Sequence, residues 1–236
     1  SQAFILFLIN FPSAWEETGR IFARHIEMFD IKLPRAAIPI EKPTRTGGES
    51  MSKKSLKLCK IGQHPTLCFA VEELRKYLAK LMEDEVTITI ADREAYDPAE
   101  EGILWLGLWE DFNISPCPAK DPKFDDAIHL EVKEGQGLIC GSNPRSVLIG
   151  VYRYLSELGC RWLRPGKDGE YIPKKDIFSI TLSLEEKPSY RHRGICIEGA
   201  VSYENVADII DWVPKLGFNS YFIQFREAYT FFDRWY

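Results

Sequence analysis

The sequence predicts an α/β protein: a mixed-sheet domain followed by the opening of a second, repeating β/α architecture. Three observations carry this. Two stretches place apolar residues three and four apart, and the segments between them alternate or run β-branched. The run from Gly141 to Gly166, G-S-N-P-R-S-V-L-I-G-V-Y-R-Y-L-S-E-L-G-C-R-W-L-R-P-G, spells a turn, an amphipathic helix, a glycine stop and a strand. After Pro188 come S-Y-R-H-R-G-I-C-I-E-G, a helix, and N-S-Y-F-I-Q-F-R-E, which is strand, helix, strand.

Residues 1–53 form an N-terminal extension and linker. Trp15 to Phe29 fits a helix with Ile21, Phe22, His25, Ile26 and Phe29 on one side, and Leu33 to Ser50 is a proline- and glycine-rich linker. The regular pattern, residues 54–187, begins with S-L-K-L-C-K-I as a strand. Leu67 to Met82 is a helix with Ala70, Leu74, Tyr77, Leu78 and Leu81 on one face. V-T-I-T-I is a strand, Asp92 to Glu101 a solvated acidic loop, and I-L-W-L-G-L a buried strand before a Pro-rich excursion. A-I-H-L-E-V and G-L-I-C-G flank K-E-G-Q-G as a hairpin. Pro144 suits a first helical turn. Val147, Leu148, Val151, Leu155 and Leu158 make that helix's core face, and Gly159 stops it. I-F-S-I-T-L-S-L is the last strand of this domain. Residues 188–236 give one helix and two strands, too few to close a barrel, so the chain is expected to hold only the start of a larger domain.

Composition narrows the function. Hydrophobic residues make up 45% and aromatics 13%, which supplies real cores. Net charge is −5 with dispersed Lys and Arg, so no nucleic-acid partner is expected. The 6 Trp, 10 Tyr and 14 Phe suit stacking on sugar rings as well as core packing. Six cysteines are scattered without C-x-x-C, and Cys68, Cys140 and Cys196 sit in apolar patterns as small buried hydrophobes. A disulfide framework is not expected. Four histidines show no ligand spacing, so neither a metal nor another cofactor is expected. Ala3 to Phe11 is apolar but too short to span a bilayer, and no basic segment precedes it. No membrane partner is expected. Localisation stays open, with the unpaired cysteines leaning to the cytoplasm.

The run G-V-Y-R-Y-L-S-E-L-G-C-R-W-L-R-P-G followed by G-E-Y-I-P resembles the end of an accessory N-terminal domain of zincin-like fold. That domain precedes the barrel in family 20 β-N-acetylhexosaminidases and family 67 α-glucuronidases. The next segment, Y-R-H-R-G-I-C-I-E-G, resembles the first strand of the hexosaminidase (β/α)8 barrel. The resemblance covers residues 54–236 and implies a zincin-like mixed-sheet accessory domain followed by the first β-α-β of an incomplete (β/α)8 barrel. It also implies a carbohydrate substrate. Arg193 matches an arginine that grips sugar hydroxyls, and Glu198 stands where those enzymes usually have Asp. The arginine-histidine expected a few residues later is replaced by G-A-V-S-Y, which points to a more distant relative.

Barrel chemistry sits at the carboxyl ends of the strands. Glu198 ends the first strand, and Gln224, Arg226 and Glu227 end the second. Arg193, Glu198, Gln224 and Arg226 are therefore the candidate substrate-binding residues. Strict alternation puts Arg193 and Glu198 on opposite faces, so a bulge or a strand end has to intervene. Glycoside hydrolysis needs an acid and a second carboxylate or a substrate acetamido group. In the resembling enzymes that pair follows the fourth strand, so no catalytic residue is expected within this chain. The sequence thus reads as the N-terminal portion of a glycoside hydrolase for amino-sugar or uronic-acid glycosides. A non-catalytic carbohydrate-binding or scaffolding protein with the same accessory domain is the alternative.

Overall fold

The structure, a computed structural model, describes residues 54–83, 85–198 and 202–224. The expected helix at 15–29, the linker at 33–50 and the rest of 1–53 lie outside the described residues, as do Arg226 and Glu227.

The chain is mixed α/β, built on a six-stranded mixed sheet. Strand β1 (Lys54–Ile61) leads into helix α1 (Pro65–Leu81). His64 caps α1, its Nδ1 accepting from Thr66 N at 3.2 Å, and Pro65 occupies the first turn, where its missing N–H costs nothing. Strands β2 (Val86–Arg93) and β3 (Ile103–Leu108) pair parallel with β1 on its two sides. Strands β4 (Ile128–Lys133) and β5 (Gln136–Gly141) form an antiparallel hairpin, and β5 joins β3 in parallel. Its two turn residues, Glu134 and Gly135, have φ of 53° and 81°, the all-positive pattern that matches strand twist. Helix α2 (Pro144–Glu157) follows, capped by Asn143 Oδ1, which accepts from Ser146 N at 3.0 Å. Gly159, at φ 102°, ends it as expected. Strands β6 (Arg161–Trp162) and β7 (Glu170–Tyr171) are a two-residue antiparallel pair. Strand β8 (Thr181–Glu186) completes the sheet order β2-β1-β3-β5-β4-β8.

Both helices lie on one face of the sheet. The apolar face expected of each is buried: Ala70, Leu74, Tyr77, Leu78 and Leu81 from α1, and Val147, Leu148, Val151, Leu155 and the following Leu158 from α2. Tyr77, Tyr152 and Trp162 meet edge to face between them, with ring centroids 5.4–6.5 Å apart. The opposite face is covered by the connection between β2 and β4. Trp105, Trp109, Phe112, Ala119 and Ala127 form a second core there with Cys59, Leu138 and Cys140. Strand β3 is consequently buried on both faces, which explains its unbroken apolar run.

Several sequence expectations need correction. The stretch Asp92–Glu101 is not simply solvated surface. Its Glu100 pairs with Lys57 at 2.6 Å, and Tyr96 packs edge-on against Trp105 and Phe112. The last strand starts at Thr181, because Ile177–Ser179 form a 3-10 turn whose Phe178 N is capped by Asp176 Oδ1. Of the three cysteines read as buried, Cys140 is, Cys68 is half-buried and Cys196 is exposed. Cys196 lies on a two-stranded sheet that the described residues leave partly uncovered.

That second sheet pairs β9 (Gly194–Glu198) in parallel with β10 (Ser220–Gln224). Helix α3 (Tyr203–Trp212) connects them, and Ser202 Oγ caps it by accepting from Asn205 N. Its core is small: Val206, Ile209, Val213 and Tyr221.

Two outcomes follow from this architecture. A polypeptide of residues 54–187 melts cooperatively, because both amphipathic helices close on its own sheet; a broad, non-cooperative thermal trace by circular dichroism would contradict it. Glu134→Asn raises stability by about 1 kcal/mol, since Glu pays a left-handed backbone cost that Asn avoids in this turn. A urea midpoint unchanged or lowered by the substitution would count against that.

Candidate functional site

The candidate residues sort onto the two ends of β9. At its carboxyl end, Glu198 is in register with Gln224 of β10. The two positions are thus neighbours across the ends of a parallel pair, and Arg226 and Glu227 follow beyond the described residues.

Arg193 lies at the other end. Strand β9 starts one residue later than expected, at Gly194, so Arg193 precedes the strand. This removes the difficulty with alternation, because Arg193 need not share a face with Glu198. Five residues of strand separate the two by about 16 Å.

Each nitrogen of the Arg193 guanidinium donates to a protein acceptor. Nη2 donates to Asp126 Oδ2 at 2.7 Å, Nε to the Gly217 carbonyl at 2.9 Å and Nη1 to the Tyr190 carbonyl at 3.0 Å. Its backbone is equally fixed. Arg193 N donates to Asn219 Oδ1 at 2.9 Å, and its carbonyl accepts from Asn219 N and Ser220 N. The Arg193 side chain is 17% exposed and its Asp126 partner 1%.

Asp126 is the centre of this cluster. It sits in the connection before β4, beside the first turn of α2, where a carboxylate is favoured by the helix dipole. Oδ1 accepts from Arg145 Nε at 3.0 Å and from Ser146 Oγ at 2.7 Å. Oδ2 accepts from Arg193 and from Asn219 Nδ2 at 2.8 Å. The loop is tied to the helix around it. Ser142 Oγ donates to the Asp125 carbonyl, and Asn143 Nδ2 donates to the Pro122 carbonyl. Burial alone would push the Asp126 carboxyl up. Arg145, Arg193 and Ser146 outweigh burial and hold it below the ordinary carboxylate range.

A second cluster joins the same two parts of the chain. Lys215, in the 3-10 turn after α3, is buried and pairs with Asp211 at 2.6 Å and with Glu170 at 3.3 Å. Glu170 also accepts a short hydrogen bond from the Tyr77 hydroxyl and lies 3.5 Å from Lys80. Burial pushes Glu170 up, but Tyr77, Lys215 and Lys80 bring it below its usual range; Tyr77 is itself pushed far up by burial and by Glu170. Trp212 Nε1 donates to the Trp162 carbonyl at 2.8 Å.

Two cavities adjoin these elements. One of about 550 Å³ lies between the units, lined by Asp126, Arg153, Arg193, Lys215 and Leu216 among others, and these four charged residues are each in an ion pair. The other, of about 670 Å³, lies near the carboxyl ends of β3 and β5 against His64, Trp109, Phe112 and Asn143. No group of three or more His, Cys, Asp or Glu among the described residues is arranged to hold a metal ion. No described helix is long and apolar enough to cross a membrane.

Sequence reasoning found Arg193 but missed Asp126, Asn219, Glu170 and Lys215. The Asp126–Arg193 partners are 67 residues apart, and no local spacing signals such a pair. Compared with known proteins, the chain matches no family model and no curated protein sequence.

Replacing Asp126 with Asn leaves two arginines short of their shared counter-charge and lowers stability by about 3–5 kcal/mol near neutral pH. Because the folded carboxyl titrates below its unfolded value, its contribution is complete above about pH 4 and is lost as pH falls through the lower folded value. The difference between wild type and Asp126→Asn in chemical denaturation should therefore shrink below pH 4. A difference that stayed constant down to pH 2 would show that the charge is not what matters.

Proposed function

We propose that the chain is the N-terminal portion of a glycoside hydrolase acting on amino-sugar or uronic-acid glycosides. The six-stranded unit takes the part of the zincin-like accessory domain, and β9-α3-β10 that of the first β-α-β of a (β/α)8 barrel. The observation that carries the reading is the register pairing of Glu198 with Gln224 at the carboxyl ends of two parallel strands. That is where barrel enzymes place substrate groups. A carboxylate residue and a carboxamide residue at paired backbone positions suit vicinal sugar hydroxyls, which need both acceptors and donors, and Arg226 follows two residues on.

In this reading Glu198, Gln224 and Arg226 face substrate. Arg193, matched by resemblance to a sugar-gripping arginine, instead acts as a positioning residue, since each of its side-chain nitrogens already donates to Asp126, Gly217 or Tyr190. The alternative is a non-catalytic carbohydrate-binding or scaffolding protein carrying the same accessory domain.

The test compares the 236-residue chain with a longer protein carrying the remaining β/α units. The short chain releases no aglycone from chromogenic N-acetylglucosaminides or glucuronides, while the longer protein does. In the longer protein, Glu198→Gln lowers kcat/KM by about 10- to 100-fold, the worth of one charge-assisted hydrogen bond. Turnover by the short chain would remove the premise that the acid lies elsewhere. Binding of these sugars without turnover by the folded longer protein would establish the alternative.

A further inference from the structure

We propose that the six-stranded unit is the template on which the β9-α3-β10 unit folds, through an acidic acceptor face built to receive a cationic donor segment. Five cross-unit hydrogen bonds among the described residues share one direction. Donors on residues 191–219 meet acceptors on residues 121–170: Arg191 Nε to Asp125 Oδ1 at 2.6 Å, Arg193 Nη2 and Asn219 Nδ2 to Asp126 Oδ2, Trp212 Nε1 to the Trp162 carbonyl, and Lys215 Nζ to Glu170 Oε1. Asp121 adds a further carboxylate 3.8 Å from Arg191.

The dependence is unequal. If the β-α-β unit were lifted away, Asp126 would keep Arg145 and Ser146, and Glu170 would keep Tyr77 and Lys80. The acceptor face is satisfied without its partner. The reverse does not hold. Among the described residues, Arg191 and Arg193 have no carboxylate partner within their own unit. The Trp212 ring packs on the main core of the six-stranded unit. Among the described residues, what would remain is a two-stranded sheet, a 10-residue helix and four buried apolar side chains. An isolated helix of that length and an isolated strand pair are each marginal in water. The inference rests on these contacts and not on the glycosidase reading, so either can fail alone.

Hydrogen exchange read by mass spectrometry on the whole 236-residue chain tests it. Arg193→Ala lowers amide protection of β9 and β10 by about tenfold or more, as local opening does, and leaves β1, β3 and β5 unchanged. Leu74→Ala, in the six-stranded core, lowers protection in both units; Leu74→Val serves if the alanine variant does not fold. Undiminished β9–β10 protection in Arg193→Ala would overturn the proposal. So would equal loss across both units in that variant, which denotes one symmetric cooperative body. So would retained β9–β10 protection in the Leu74 variant, which denotes an independently folding unit.

Discussion

The Asp126 carboxylate is the group around which the rest is arranged. An ionised carboxylate that is 1% exposed is costly to bury unless its oxygens are filled with donors of opposite charge and good geometry. Asp126 has two arginines, a hydroxyl and a carboxamide, each at 2.7–3.0 Å. Meeting that demand fixes several elements at once. The connection before β4 is drawn against the first turn of α2. Arg145 and Ser146 on that turn are oriented inward. The backbone entering β9 is set opposite Asn219, which itself binds Arg193 N. A single buried charge thereby sets the register of two sheets relative to one another.

The second cluster makes the attachment a two-point one. Asp126 holds the amino end of β9, while Lys215 and Trp212 hold the far end of α3 against Glu170 and the Trp162 carbonyl. One point would leave the strand pair free to pivot. Two points, with the Trp212 ring on the main core between them, restrict rotation. The two clusters also differ in kind. At Asp126 the anion is the more deeply buried member of the Arg193 pair; at Glu170 the cation is, with the Lys215 side chain 3% exposed. Each is tolerated because neighbouring groups of the same cluster complete its partners.

Much of the fold was legible in the sequence because its determinants are local. The faces of α1 and α2 follow from apolar spacing, their ends from Pro65, Pro144 and Gly159, and the β4–β5 hairpin from its turn residues. What escaped depends on non-local packing. Ile177 looks like a strand residue but is buried beneath a turn capped by Asp176. Tyr96 looks like part of an acidic loop but is drawn into the aromatic layer with Trp105 and Phe112. The site divides in the same way. The positions of Glu198 and Gln224 at strand ends follow from pattern alone. The commitment of Arg193 does not, since its partners come from positions 126, 190 and 217, three separate parts of the chain.

This division has a physical consequence for any chemistry at the carboxyl ends of β9 and β10. The amino end of β9 is pinned by the Asp126–Arg193 ion pair and by the bonds of Arg193 to the Gly217 and Tyr190 carbonyls. The carboxyl end, about 16 Å away along β9, holds the backbone positions of Glu198 and Gln224, the residues proposed for polar recognition. A strand fixed at one end transmits position along its length, because backbone pairing with β10 keeps the two strands in register from Gly194–Ser220 to Glu198–Gln224. In the proposed function, the backbone positions of Glu198 and Gln224 are therefore referred back to Asp126, on the other unit. The six-stranded unit acts on that strand pair through its start, because Arg193, which precedes β9, is held by Asp126.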